Sequence, residues 1–288
     1  MNARKLKDKL KAVARRAGYT FERLRLDDVA QYVALFGQRS VDERRFYNIS
    51  GGGHFGFGGG LRHPCWTNVD VDRPWPAGAG EPYDPSRDIA HDPLSLTPLP
   101  LASDSAELVH SRVTIEHMPD EAARLLLAEI HRVLKPGGVF RVVAPNMELD
   151  LRALARGDRA YFGWAGPQDS LEQAFLTHFA ANASTRHPDG ASTRITDDEL
   201  RHALATRSPD DALDWCVSRC SLEVQRRTRS DHINWWTPAK LHRELAAAGF
   251  ETAYLSASQQ SACPVLRNPA YFDNVFIRFL FHMEAVKG

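Results

Sequence analysis

Between Glu107 and Ala144 the chain runs through a strand, a helix and a second strand without interruption, and this succession limits the possible folds most sharply. Glu107-Leu108-Val109-His110-Ser111 is apolar and β-branched enough to read as a buried strand. Asp120 to Leu134 carries the clearest helical pattern in the chain: Leu126, Ile130 and Val133 form one stripe, Asp120 is placed to cap the start, and Lys135-Pro136-Gly137-Gly138 stops it. Val139 to Ala144 returns as a strand. A helix joining two buried strands makes a right-handed crossover the economical connection, so the strands should lie parallel in a sheet covered by helices.

A glycine run stands upstream between two more strand-like runs, Phe46 to Ser50 and Thr67 to Val71. Without β-carbons, Gly51, Gly52 and Gly53 let backbone N–H groups approach a ligand closely. Asp70 or Asp72 stands about 20 residues on, at the carboxyl end of the second run, where an acid accepts hydrogen bonds from ribose hydroxyls. The pattern predicts a nucleoside site. Gly51, Gly53 and Gly56 also spell G-x-G-x-x-G, which leaves an NAD(P)-dependent oxidoreductase as an alternative. The following Phe57-Gly58-Gly59-Gly60-Leu61-Arg62-His63-Pro64 is a poor start for the helix that a dinucleotide fingerprint requires.

The run from Leu99 to Asn146, LPLASDSAELVHSRVTIEHMPDEAARLLLAEIHRVLKPGGVFRVVAPN, resembles the central half of a class I S-adenosylmethionine-dependent methyltransferase. It is similar in particular to small bacterial enzymes of surface-polysaccharide and natural-product pathways, with Tyr47-Asn48-Ile49-Ser50-Gly51-Gly52 and Cys65-Trp66-Thr67-Asn68-Val69-Asp70 in the places of their first two strands. The likeness covers about 46 to 150 and resumes at His232 to Phe250 and in the last strand. It implies a doubly wound, seven-stranded, mostly parallel α/β sheet, the Rossmann-like methyltransferase fold, with S-adenosyl-L-methionine as cofactor.

Carried over by position, the resemblance brings Gly51 and Gly52 to the methionine portion of the cofactor, puts Asn48 in a slot usually given to an acidic or amide residue, and counts Ser50 and Gly53 with them as cofactor-binding. Asp70 would hold the ribose, Asp92 would face the adenine amino group, and Ser111 would border methionine and acceptor. Glu116-His117 matches a pair at the rim of the cleft, and His232 matches a histidine ahead of the late helix. Ser50 stands where the family has its first glycine, which leaves a methyltransferase-like protein without transfer activity as a further alternative. Methyl transfer from a sulfonium is an in-line displacement in which positioning supplies most of the catalysis. A hydroxyl acceptor is helped by a base, and His117 and His232 are the candidates.

The expected organisation is an N-terminal helical extension over 1–45, a cofactor-binding half over 46–150, a helical insertion over 151–230 and the rest of the sheet over 231–288. The extension should contain a basic amphipathic segment with Leu6, Leu10, Val13 and Ala17 on one face, then a helix from Thr20 to about Gln38. Helices are predicted at 168–183, 196–206 and 210–227 in the insertion, and from Pro238 behind a Thr237 cap to Gly249. Strands at 252–257 and 274–285 close the sheet. Trp164, His178, Arg186, His187 and Arg194 could line an acceptor pocket in the insertion, where α/β folds gain specificity.

Charge and cysteines narrow the function classes. Thirty-six basic and 36 acidic residues cancel, so no global field steers the chain onto nucleic acid. Cys65, Cys216, Cys220 and Cys263 form no C-x-x-C pair, and no second ligand pair accompanies His63 and Cys65 at zinc spacing, so reduced thiols and no metal are expected. No apolar run reaches the length of a membrane span. The sequence thus predicts a cytoplasmic enzyme, with a homodimer as its candidate assembly, that O-methylates a sugar or other polar small molecule.

Overall fold

A computed structural model describes residues 13–16, 27–49, 63–71, 84–188, 194–273 and 278–288. Ser50, Gly51, Gly52 and Gly53, the proline-rich run after Asp72, and most of the basic N-terminal segment lie outside the described residues.

One seven-stranded sheet organises the chain, in the order β3-β2-β1-β4-β5-β7-β6. The strands are β1 Phe46–Ile49, β2 Trp66–Asp70, β3 Ile89–Ala90, β4 Ala106–Arg112, β5 Leu134–Pro145, β6 Thr252–Ser256 and β7 Leu280–Val286. β1 to β5 run parallel, and β7 inserts antiparallel between β5 and β6. The doubly wound α/β expectation therefore holds. The strand order reverses between β1 and β4, which opens the crevice where such sheets bind ligands.

Besides the helical residues 13–16, eight α-helices follow in chain order among the described residues: α1 Val29–Asp42, α2 Asp120–Val133, α3 Met147–Ala155, α4 Leu171–Leu176, α5 Asp197–Thr206, α6 Pro209–Val217, α7 Leu222–Arg227 and α8 Pro238–Ala247. α2 and α8 bury Leu126, Leu127, Ile130, Leu241 and Leu245 against Ile49, Val109, Val142 and Met283 on one face of the sheet. On the opposite face, Tyr32 of α1 and Val265, Leu266 and Phe272 cover Phe46, Trp66 and Leu108. A separate apolar cluster, with Met147, Phe162, Phe175, Phe179, Leu200, Leu213 and Trp235, holds the insertion together.

Several boundaries differ from the sequence reading. The N-terminal helix runs on to Asp42 through a kink at Gly37, whose φ of 80° breaks the helical geometry. Of the predicted apolar stripe only Val13 lies among the described residues, and it is exposed while Ala14 beside it is buried. Asp120 starts α2 from inside and binds Asn234 and Lys240, while Pro119 holds the cap position. The predicted helix at 210–227 is two helices, because the Ser221 hydroxyl accepts from the Val224 N–H and starts α7 afresh. Residues 168–183 yield only α4 and a 3-10 turn, Ala181–Ala183.

The α1 face of the sheet is polar along one line. In register lie Asn68 of β2, Asn48 of β1, His110 of β4, Arg141 of β5, Glu284 of β7 and Tyr254 of β6. Asp88 can only accept, so the Asn68 amide donates to it at 3.0 Å, Asn48 donates to the Asn68 oxygen at 2.9 Å, and His110 Nδ1 donates to the Asn48 oxygen at 2.9 Å. Arg141 ion-pairs with Glu284 at 2.7 Å and with Asp273 at 2.5 Å, and Tyr254 donates to Glu284 at 2.7 Å. Buried polar groups of this kind stabilise a fold only when matched.

Candidate active site

The carboxyl ends of β2, β3 and β4 carry Asp70, Asp92 and Ser111, the positions expected along a bound nucleoside. Asp70 is buried and accepts from the Val71 N–H at 2.7 Å. Asp92 accepts from Leu94 N–H and starts a 3-10 turn, Pro93–Ser95. Both its oxygens also bind the Arg229 guanidinium, at 2.8 and 2.7 Å. Burial opposes ionisation of Asp92, but this fork and the Leu94 N–H hold the carboxyl below its ordinary range. The insertion thus reaches the edge of the sheet through Arg229, a contact with no local mark in the sequence. Ser111 is buried, and its hydroxyl has no hydrogen-bond partner among the described residues. Both polar atoms of the Asn48 amide serve the row across the sheet.

Beyond β4 the chain turns through Ile115–His117 and meets the return of the insertion. Ile233 and Asn234 donate their N–H groups to the Glu116 carbonyl at 2.8 and 3.1 Å. The buried Gln225 amide donates to the carbonyls of His117 and Asp231. These bonds bring His232 beside Glu116 and His117, more than a hundred residues away in sequence. The two imidazole rings meet edge to face with centroids 4.7 Å apart.

The ring tautomers follow from their partners. His117 Nδ1 stands 2.9 Å from the Asp231 carbonyl and His232 Nδ1 stands 2.8 Å from the His178 carbonyl. A carbonyl oxygen only accepts, so each Nδ1 carries a proton, and in the neutral ring the lone pair lies on Nε2. Glu116 is 1% exposed, and neither carboxylate oxygen has a hydrogen-bond partner among the described residues. Burial pushes its carboxyl up to about 8.

The insertion adds a wall that the sequence only hinted at. His178 Nδ1 meets Asp150 at 2.5 Å, and the Tyr161 hydroxyl donates to the other oxygen of the same carboxylate at 2.5 Å. The His178 ring lies 5.6 Å from His232 and 4.5 Å from the Trp164 ring at a 34° tilt, and Trp164 is 41% exposed. Of the five suggested lining residues, Trp164 and His178 therefore stand next to the histidine pair. Arg186 pairs with Asp169, His187 with Asp231, and Arg194 with the carbonyls of Thr185 and His187. Those three hold the insertion's own loops. Asp150 and Tyr161 were not singled out in the sequence, because nothing local marks a carboxylate that meets a histidine 28 residues on.

The four cysteines take no part. All are unpaired thiols, and burial pushes Cys216 and Cys220 up to about 12 and Cys65 and Cys263 up to about 11, far from reactive. His63 pairs with Asp28 at 2.6 Å.

Residues 69–142, from β2 to β5, match a family model described as a methyltransferase domain. A protein of Mycolicibacterium smegmatis described as a "Probable S-adenosylmethionine-dependent methyltransferase" is 45% identical over 62 residues, which make up 22% of this chain and 23% of that protein. The chain thus matches less than a quarter of that relative's length. Among solved structures, an S-adenosylmethionine-dependent methyltransferase from Mesorhizobium loti superposes with a TM-score of 0.38 at 13% identity, over 84% of this chain and 90% of that one. Human N-acetylserotonin methyltransferase superposes with a TM-score of 0.36 at 16% identity, over 90% of this chain and 54% of that one. Superpositions this loose carry no functional weight. The family match falls on the segment that carries the sequence resemblance, and over that segment the chain is similar to S-adenosylmethionine-dependent methyltransferases.

Proposed function

We propose that this protein transfers a methyl group from S-adenosylmethionine to a hydroxyl oxygen of a small polar acceptor, a sugar or natural-product intermediate, in the cytoplasm. The observation that carries the reading is the pair His117 and His232, whose Nδ1 atoms are tied to carbonyls so that each ring presents a basic Nε2 just beyond the end of β4. Asp70 and Asp92 take the ribose and the adenine amino group, and Ser111 borders the methionine end. The segment 151–230 acts as the acceptor cap. The Trp164 face supplies an apolar platform for a sugar or aromatic ring.

In the reaction the acceptor oxygen attacks the sulfonium methyl, the carbon–sulfur bond breaks and S-adenosylhomocysteine leaves. His232 Nε2 takes the hydroxyl proton as the methyl moves, a role worth about 10²–10⁴-fold in rate. His117 is the second candidate for that proton. Calorimetric titration with S-adenosylhomocysteine and with NAD tests the cofactor half, and an acceptor screen with labelled S-adenosylmethionine tests the rest. Binding of NAD alone would reverse the reading.

A further inference from the structure

We propose that Glu116, His117 and His232 form a binding site for one divalent first-row transition-metal ion. One ligand atom from each residue lies within 4.8 Å of the other two, and His232 Nε2 stands 3.9 Å from a Glu116 oxygen. That separation is too long for a hydrogen bond, so the imidazole does not satisfy the carboxylate. It is close to the spacing of two donors around one ion and contracts to it by small side-chain rotations.

Three features prepare these groups as ligands. Metal-bound histidines usually donate the second ring N–H to a carbonyl or carboxylate, which fixes tautomer and orientation. Both histidines do so here, through Nδ1 to the carbonyls of Asp231 and His178. The Glu116 carboxylate is buried with neither oxygen hydrogen-bonded among the described residues, and a cation beside it removes that cost. Finally, the backbone that carries the ligands is pinned: Ile233 and Asn234 N–H bind the Glu116 carbonyl, and the Gln225 amide spans His117 and Asp231. Rigid placement of all three ligands lowers the ordering cost of capture.

Two imidazoles and one carboxylate suit Zn²⁺, Mn²⁺, Fe²⁺ or Co²⁺ and leave further coordination positions open. Resting on the acceptor-site reading above, a bound ion would take up both Nε2 lone pairs, so in the loaded chain an open coordination position would acidify the acceptor's hydroxyl in place of proton transfer to His232, and the proton would pass to solvent. Ion capture itself needs only the three side chains.

The test is titration of the EDTA-treated, dialysed full chain with Co²⁺, followed by its visible d–d absorption and by metal content per chain. We expect one ion per chain and a rise in melting temperature on loading, with Zn²⁺ and Mn²⁺ competing for the same site. Glu116→Gln and His232→Ala should each weaken Co²⁺ binding by tenfold or more, while Cys216→Ser/Cys220→Ser leaves it unchanged. Circular dichroism and melting of the metal-free variants establish that they fold, and His117→Gln serves as a third variant should one fail. Absence of stoichiometric binding, or undiminished binding by folded ligand variants, overturns the site. S-adenosylhomocysteine binding to the metal-free chain is measured separately, so a failed methyltransferase reading is distinguishable from a failed metal site.

Discussion

Lowering the pH should destabilise this fold through His110, and the size of the loss follows from its surroundings. The ring is buried on β4 between Trp66 and Phe272, donates from Nδ1 to Asn48, and leaves Nε2 without a hydrogen-bond partner among the described residues. Burial above all, and then Arg112, with Arg141 and His282 adding to it against Asp273, pushes its pKa down from 6.5 to about 3. The unfolded chain therefore binds a proton below pH 6.5 that the folded chain refuses, and stability falls as the pH drops from 6.5 towards 3. Each pH unit in that window costs about 1.4 kcal/mol, so two units cost about 3 kcal/mol by pH 4.5. Urea unfolding of wild type and His110→Gln between pH 7.5 and 4.5 isolates this loss, because the glutamine amide can still donate to Asn48 and titrations elsewhere largely cancel. The wild type should lose about 3 kcal/mol relative to the variant across that range. Parallel stability curves would refute the account of a neutral, locked imidazole.

Asp70→Ala should weaken S-adenosylhomocysteine binding by about 1–3 kcal/mol, from the lost charge-assisted hydrogen bonds to ribose; an unchanged calorimetric Kd would remove Asp70 from the site. Because Arg229 grips both oxygens of Asp92, Arg229→Met should tighten the same ligand by up to about 1 kcal/mol, the typical worth of a partly exposed ion pair. A weaker complex would mean that Arg229 itself binds the cofactor. Arg141→Met strands the buried carboxylates of Asp273 and Glu284 and should cost about 3–5 kcal/mol in urea unfolding; a loss below 1 kcal/mol would count against a charged network. Once an acceptor is known, Trp164→Ala should raise its KM and leave cofactor affinity untouched, and equal effects on both would place Trp164 elsewhere.

What the sequence disclosed was whatever local pattern decides. α2, α8 and the strands beside the crossover combine an apolar period with a cap or a stop, and Thr196 with Glu199 forms the capping box that starts α5. α3 escaped notice because Asn146 caps it directly after a twelve-residue strand, with no turn to announce it. The break between α6 and α7 escaped because Ser218 to Ser221 contains neither glycine nor proline. Glu116-His117 was visible as a motif, whereas Asp150 with His178 and Asp92 with Arg229 are pairs made by tertiary folding, 28 and 137 residues apart. The absence of a C-x-x-C pattern suggested no metal, since sequence spacing cannot show that His232 returns to Glu116.

The polar line across the sheet also sets an order of events. Arg141 leaves the ribosome 143 residues before Glu284, its partner on β7. Until β7 arrives, the guanidinium must stay hydrated, because closing that face without its counter-ion would bury a lone charge. β5 therefore cannot seal its α1 side during synthesis, although β1, β2 and β4 already have mutual partners in Asn48, Asn68 and His110. The half around β1, β2 and β4 has its polar partners early but receives its Val265, Leu266 and Phe272 cover almost as late, and the far half waits for a strand near the end of the sequence. A pairing this distant is slow to find. Translation should therefore present a half-closed sheet, open at β5, as its longest-lived intermediate.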